Sequence, residues 1–180
     1  MDRPTLETDR LLLRPYSPDD AAQLQRLAGD RDVAAMTRRI PHPYEDGMAE
    51  EFIAADRERF EKGESVTFAI TIASSGELIG SVGLTLNREE NQAELGYWIG
   101  KPYWNQGYAT EASRAVVAYG FGTCGLERIH AWCVRRNVAS GHVLSKLGMT
   151  CEGCLRQHFK RWGVREDLQC YGILRNEWKV

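Results

Sequence analysis

The hydrophobic positions in the first third of the chain predict one strand and two helices. The apolar run at 11–13 predicts the strand. Ser17, followed by a proline and two acids, is typical of a helix start, so a helix is predicted to about residue 29. Apolar residues then recur on one stripe of 46–62, just before Gly63, which predicts a second helix and its end.

Beyond that point the pattern changes to strands. Residues 66–73 and 78–86 are rich in β-branched side chains and are joined by Ser-Ser-Gly-Glu, which is typical of a hairpin. Residues 93–99 predict a third consecutive strand. Helices and strands alternate from there, with helices predicted over about 110–121 and 138–147, and strands over 128–134, 151–156 and 166–174. The expected fold class is therefore α/β (α+β), with a mixed central sheet and about four helices.

The composition is that of an ordinary globular protein, with 43% hydrophobic and 27% charged residues among 180. This excludes a disordered chain and a small disulfide scaffold, and the length predicts a single domain over 1–180. The formal net charge of -2 gives no reason to expect nucleic acid or an anionic membrane as a partner. The charged N-terminal segment lacks the apolar core of a signal peptide and the cysteines number five, so we expect reduced thiols and a cytoplasmic location.

The most informative stretch is the loop between the strand at 93–99 and the next helix. Gly107 and Ala109 leave room at a predicted helix N-terminus, where unpaired N–H groups and the helix dipole attract an anion. The physical interpretation is a diphosphate cradle built from main chain. The Walker ending and the three-glycine dinucleotide fingerprint are both missing here. A plain turn with Thr110 as an ordinary helix cap is the competing interpretation.

The flanking residues resemble a known family. Gly-Tyr-Trp-Ile at 96–99 and Trp-Asn-Gln-Gly-Tyr-Ala-Thr-Glu-Ala at 104–112 are similar to the Gcn5-related N-acetyltransferase (GNAT) superfamily, and most of all to its RimJ/RimL-type branch. Trp104 stands where the wider superfamily has Gln or Arg, a departure that this branch shares. The resemblance extends over nearly the whole chain. It implies a sheet splayed between the fourth and fifth strands, with acetyl-CoA as donor co-substrate.

The resemblance also implies which residues hold the cofactor. The pantetheine arm adds to the sheet like an extra strand, against the backbone of Tyr97, Trp98 and Ile99. The pyrophosphate is bound by backbone amides of the loop and helix start, which are those of Asn105, Gln106, Gly107, Tyr108, Ala109 and Thr110. Glu111 also matches the motif, but an acid in the first helical turn is favoured by the helix dipole and indicates a structural role.

A second motif covers the helix predicted at 138–147. Asn137 is a good N-cap and Ser140 stands where its amide would receive that cap, so pure capping is one interpretation. The family pattern Asn-x-x-Ser followed by Lys-Leu-Gly also matches, and implies that Asn137, Ser140 and Lys146 contact the cofactor. Many members carry a tyrosine that protonates the departing thiolate, and Leu144 occupies its place here. The branch uses a serine at the position of Ser140 instead.

The proton on the acceptor amine needs a base, and Glu94 is the candidate. If the strand alternates, Glu94, Gly96 and Trp98 share one face, while Leu95, Tyr97 and Ile99 share the other. A glutamate within a buried strand is unusual unless it is paired or functional. Solvent exposure or an ion pair with an arginine is the structural alternative. The branch often has a glutamate at this position and uses it as the base.

Other features of the sequence carry weaker signals. Cys151, Cys154 and His158 resemble half a zinc site without a second cysteine pair, so no metal is expected. Basic and aromatic residues at 156–165 could suit RNA, but a solvated hairpin loop is favoured at this net charge. Acids at 45–51 suggest a cationic acceptor, although a charged helix face is usually only solvated.

The sequence therefore predicts an acetyl-CoA-dependent N-acetyltransferase. Protein or peptide N-termini are the favoured acceptors, while polyamines, amino acids and aminoglycoside-like amines stay open. A catalytically silent acyl-CoA-binding module is a second candidate because Leu144 replaces the tyrosine. A nucleotide-binding protein that uses the same helix start is a third. A homodimer is compatible with the sequence.

Overall fold

The computed structural model describes residues 3–179, which form one eight-stranded mixed sheet with helices on both faces. The strands are β1 (Leu6–Glu7), β2 (Leu11–Arg14), β3 (Ser65–Ile72), β4 (Leu78–Asn87), β5 (Gln92–Ile99), β6 (Arg128–Val134), β7 (Thr150–Arg161) and β8 (Val164–Leu174). The helices are α1 (Ala21–Ala28), α2 (Arg31–Ala35), α3 (Met48–Glu61), α4 (Tyr108–Gly122) and α5 (Val138–Lys146). Within residues 3–179, no helix is both long enough and apolar enough to cross a membrane.

The strands lie in the order β1-β2-β3-β4-β5-β6-β8-β7, and β5 and β6 are the parallel neighbours. These two strands pair only at their first residues, from Gln92 with Arg128 to Glu94 with His130. Beyond Glu94 they diverge, while β4 stays paired with β5 as far as Ile99. The splay predicted between the fourth and fifth strands is confirmed, and the extra strand β1 makes them the fifth and sixth.

The two faces of the sheet bury different sets of side chains. Leu95 and Ile99 are buried in the main core with α4, and Tyr97 packs against it. Trp98 instead packs against the smaller core formed with α1 and α3. The alternation predicted for this strand is therefore confirmed, and Glu94 shares the face of Trp98.

Most of the predicted elements are present, and the differences occur in short or exposed segments. The four predicted helices are present as α1, α3, α4 and α5, and the short α2 adds a fifth. This helix has five residues and is capped by Asp30, so it is too short to show a helical apolar period. The two-residue strand β1 was missed for the same reason. Strands β7 and β8 form a longer hairpin than predicted, and β7 is mostly exposed, which removes the alternating pattern.

Candidate active site

The divergence of β5 and β6 opens a groove of about 1050 Å³ across the sheet. One end of the groove is the N-terminus of α4, and the other is bounded by the loop at 36–41 and by α3. The middle lies between β5 and α5. One continuous groove thus connects the two motifs that the sequence singled out.

The turn before α4 presents main-chain donors to one end of the groove. Asn105 and Gly107 both have positive φ, 60° and 84°, so the chain reverses sharply before the helix begins at Tyr108. The Glu111 amide makes the first helical bond, to the Gly107 carbonyl at 3.1 Å. The amides of residues 108–110 precede that bond and have no acceptor within the helix. Thr110 lies inside the first turn and is not the helix cap.

The helix start is fixed to the first strands of the sheet by Glu111. Its carboxylate accepts hydrogen bonds from Thr8 Oγ1 at 2.7 Å and from the Arg10 amide at 2.9 Å. Arg10 Nε donates to the second carboxylate oxygen at 2.7 Å, and the guanidinium lies over the Tyr108 ring. Burial opposes ionisation of Glu111, but these donors outweigh it and lower its pKa. The structural role indicated for Glu111 agrees with these contacts.

Trp104 fixes the other side of the same turn. Its indole Nε1 donates to the Ile99 carbonyl at 2.6 Å, which joins the loop to the end of β5. Thus the tryptophan that departs from the superfamily pattern holds the loop through one hydrogen bond and its own packing against the core. The Ile99 carbonyl keeps a second lone pair, with which it can accept a hydrogen bond from a ligand.

The centre of the groove holds a hydrogen-bonded pair from two elements. The Tyr97 hydroxyl lies 2.8 Å from Ser140 Oγ and also donates to the Ser140 carbonyl at 3.2 Å. Burial raises the pKa of the Tyr97 phenol, so it stays protonated at neutral pH. Asn137 Oδ1 accepts from the Ser140 amide at 3.2 Å, which confirms the predicted cap and leaves Nδ2 as a donor. Leu144 is fully buried in the core, so it contributes nothing polar.

Glu94 lies at the last position at which β5 pairs with β6, just where the two strands begin to diverge. Two arginines of the 36–41 loop approach its carboxylate, Arg38 at 3.6 Å and Arg39 at 3.4 Å. The Glu94 side chain is 25% exposed and lines the groove. The ion-pair alternative is therefore present in the structure, and it occurs together with access to the groove.

Nearly all the site residues predicted from sequence line this one groove. Those that do are Glu94, Tyr97, Trp98, Ile99, Asn105, Gly107, Tyr108, Ala109, Thr110, Asn137, Ser140 and Lys146. Gln106 is the exception. Its carbonyl accepts from Arg10 at 3.0 Å and its side-chain amide donates to Pro102 at 3.2 Å.

Sequence reasoning missed the wall that faces Glu94. Arg38, Arg39 and Trp132 all line the groove, with Arg38 over the Trp132 ring at 5.8 Å. The wall is held from the far end of the chain, because Arg161 donates to the carbonyls of Ala34 and Ile40. No local pattern marks an arginine whose partners are more than a hundred residues away.

Two other expectations concern charge and metal. From α3, Phe52 and Arg59 line the groove, whereas Glu50 and Glu51 are exposed outside it. The acids of this region therefore give no support to a cationic acceptor. Over residues 3–179, no three His, Cys, Asp or Glu side chains are grouped closely enough to hold a metal ion.

Comparisons with known proteins decide the family. A family model described as an acetyltransferase (GNAT) domain matches residues 10–150. The chain belongs to the GNAT family. It is 32% identical to the Bacillus subtilis N-acetyltransferase YoaA, itself uncharacterized, over 96% of this chain and 97% of that protein.

Solved GNAT structures share the fold over nearly the full length. A GNAT acetyltransferase from Bacillus anthracis superposes with a TM-score of 0.84, at 26% identity over 96% of this chain and 99% of that one. RimL, a ribosomal L7/L12 N-acetyltransferase solved with coenzyme A, gives 0.87 at 17% identity, over 95% and 98% of the two chains. The GNAT chain described here is thus an acyltransferase that uses acetyl-CoA.

Proposed function

We propose that this GNAT enzyme acetylates the amino group at the N-terminus of a peptide or protein, with Glu94 as base and Ser140 as proton donor. The observation that carries the proposal is the single groove, which has free helix amides at one end and Glu94 at the other. Ser140 lies between them, on α5 beside the splay. Donor and acceptor can therefore meet between the two proposed catalytic side chains.

The residues present at the α4 end fit acetyl-CoA. Amides of residues 108–110 have no helical acceptor, and a helix N-terminus is a favourable place for a pyrophosphate. From Leu95 onward β5 has no partner on the β6 side, which leaves its edge open to the amides of a pantetheine arm. Asn137 and Lys146 flank this edge from α5. When bound, acetyl-CoA supplies a thioester carbonyl that is already activated.

The position of Glu94 supports its proposed role in taking a proton from the incoming amine. It is the one carboxylate of β5 at the point of divergence, and it borders the groove where an acceptor enters. An alkylammonium must lose a proton before it can attack, and a carboxylate does this directly or through one water. Arg38 and Arg39 hold the carboxylate at long range rather than through short bonds.

Ser140 is the proposed donor to the leaving thiolate, and Tyr97 is its positioning residue. The Tyr97 hydroxyl lies 2.8 Å from Ser140 Oγ, so when its one hydrogen turns from the Ser140 carbonyl to Oγ, the serine hydroxyl is free to donate onward. The pair supplies the hydroxyl that a proton donor needs, which the side chain of Leu144 cannot supply. Both residues are half-buried, and the short distance between their hydroxyl groups supports the pairing.

Transfer is proposed to be direct, without an acyl-enzyme. Cys133 is the cysteine that lines the groove, and it is buried at 5% exposure. Burial raises its pKa to about 11, so the thiol is protonated at neutral pH and is a poor nucleophile. Positioning of both substrates in one groove then supplies most of the acceleration.

Open space beside Glu94 supports an extended peptide as the proposed acceptor. Gly96 lies two residues from Glu94 on the same face of β5, and a Cβ added there would meet no atom within 4 Å. The floor of the groove is therefore open beside the base. RimL, which shares the fold, is by its name an acetyltransferase of a protein N-terminus.

The test combines binding with turnover. Calorimetry should detect acetyl-CoA, and thiol release should depend on short peptides with a free N-terminus and be lost when that terminus is blocked. Turnover confined to spermidine or aminoglycosides would contradict the choice of acceptor. Cofactor binding without release from any amine would favour a silent acyl-CoA-binding module.

A further inference from the structure

The acceptor end of the groove carries an excess of positive charge. Three guanidinium groups line it, from Arg38 and Arg39 in the loop and from Arg59 on α3, against the carboxylates of Glu64 and Glu94. Positive charge on a concave surface raises the local concentration of anions. Arg136 also lines the groove, but its Nε donates to the Glu166 carboxylate at 2.7 Å. This ion pair neutralises the charge of Arg136, which therefore adds little to the positive excess.

Glu94 leaves hydrogen-bond donors of the two loop arginines, Arg38 and Arg39, without a close acceptor. The contacts of 3.6 and 3.4 Å exceed the 2.7–2.9 Å of a charge-assisted hydrogen bond. The side chains of Arg38 and Arg39 are 34% and 68% exposed, and each guanidinium has five donors. The Trp132 ring orients Arg38 from beneath. Both groups therefore keep N–H donors for a ligand in the groove.

Arg59 brings a third guanidinium to the lining of the groove, from α3. Its contact is aromatic rather than ionic, because it lies over the Phe52 ring at 5.7 Å from the centroid. Both residues line the groove and belong to the same face of α3. Cationic donors therefore line the groove from two separate elements, the 36–41 loop and α3.

We propose that the acceptor is a primary amine that carries an oxyanion, a carboxylate or a phosphate, a few bonds from the amino group. This rests on the proposed function, because it places the amine at Glu94. The oxyanion takes the donors of Arg38 and Arg39, with the Arg59 guanidinium adding its positive charge from α3. The release of Glu94 by the two loop arginines leaves that carboxylate to accept the amine proton. A polyamine would bring further positive charge against the same three guanidinium groups.

The experiment compares acceptors that differ only in charge. Four tetrapeptides carry Asp, phosphoserine, Asn or Lys at the second position, and thiol release is measured with saturating acetyl-CoA. We expect kcat/KM to be roughly tenfold or more higher for Asp or phosphoserine than for Asn, with Lys lowest. Serine and serinamide form a second set, which shows whether a free α-carboxylate serves as the oxyanion.

Two variants and a matched control test the residues. Arg39→Ala and Arg59→Gln should reduce the preference for Asp over Asn toward unity, with the affinity for acetyl-CoA unchanged. Arg57→Ala is the control, because Arg57 lies on the same helix as Arg59, pairs with Glu61 at 3.1 Å and does not line the groove. It should keep the full preference.

The outcomes separate this inference from the proposed function. Equal kcat/KM for the Asp and Asn peptides, or a preference for Lys, would overturn the inference and leave the acetyltransferase intact. If no amine releases thiol, the proposed function fails, and calorimetry of the Asp and Asn peptides with CoA present still tests the inference. Equal affinities there would overturn it, and tighter binding of the Asp peptide that is lost in Arg59→Gln would support it.

Discussion

Gly107→Ala tests whether the turn before α4 holds the cofactor. Gly107 is the N-cap of α4 at φ 84°, and a side chain in that conformation costs roughly 1–2 kcal/mol. The new Cβ would lie 3.4 Å from Arg10 Nη2, an ordinary van der Waals contact, so the cost comes from the backbone conformation. For a chain of this length each kcal/mol lowers Tm by about 2–4 °C, so we expect a fall of about 2–8 °C.

The same strain should reach the cofactor. If the turn relaxes to relieve it, the amides of residues 108–110 move out of alignment with the pyrophosphate. One charge-assisted hydrogen bond contributes about 1.5–3 kcal/mol, so its loss weakens acetyl-CoA binding by roughly tenfold to a hundredfold. Calorimetry with acetyl-CoA measures the affinity and thermal unfolding measures Tm.

Gly47→Ala is the matched control. Gly47 is the N-cap of α3 at φ 88°, and a Cβ there would meet no atom within 4 Å. The backbone penalty is therefore similar, but the residue lies outside the groove. An unchanged acetyl-CoA affinity in Gly107→Ala, or an equal loss in both variants, would refute the cradle. An unchanged Tm in both would refute the strain argument.

Three further predictions address the proposed chemistry and the helix clamp. Glu94→Gln should lower turnover by about 10²–10⁴ and leave acetyl-CoA affinity unchanged, and an equal rate at every pH would remove Glu94 as base. Tyr97→Phe keeps the ring and should lower kcat less than Ser140→Ala does, whereas a larger loss in Tyr97→Phe would contradict a merely positioning role. Glu111→Gln should cost about 1.5–3 kcal/mol at neutral pH. Because the pKa of Glu111 is lowered on folding, its contribution is present above the ordinary value of 4.5 and is lost as pH falls toward the folded value. Urea unfolding should therefore show the difference between wild type and Glu111→Gln shrinking on acidification below that value, and a difference that stays constant there would contradict the assignment.

The sequence by itself determined the features that depend on neighbouring residues. The cap of Asn137 on Ser140 and the turn at Gly107 are interactions over a few positions, so their residue types identify them. The alternation in β5 assigned Glu94 and Trp98 to one face, because side chains alternate along a strand. Long elements with a clear period were predicted to within a few residues.

Tertiary structure decided which distant residues meet. Tyr97 and Ser140 are 43 positions apart, Arg39 and Glu94 are 55, and Arg10 and Glu111 are 101. The first two of these contacts lie at the splay, where β5 and β6 pair at only three positions. The hydrophobic pattern of a strand indicates which of its side chains are buried. It does not indicate which strand lies next to it, or over how many residues the two strands pair. The charge of the acceptor end therefore emerges only when the 36–41 loop is folded over Glu94.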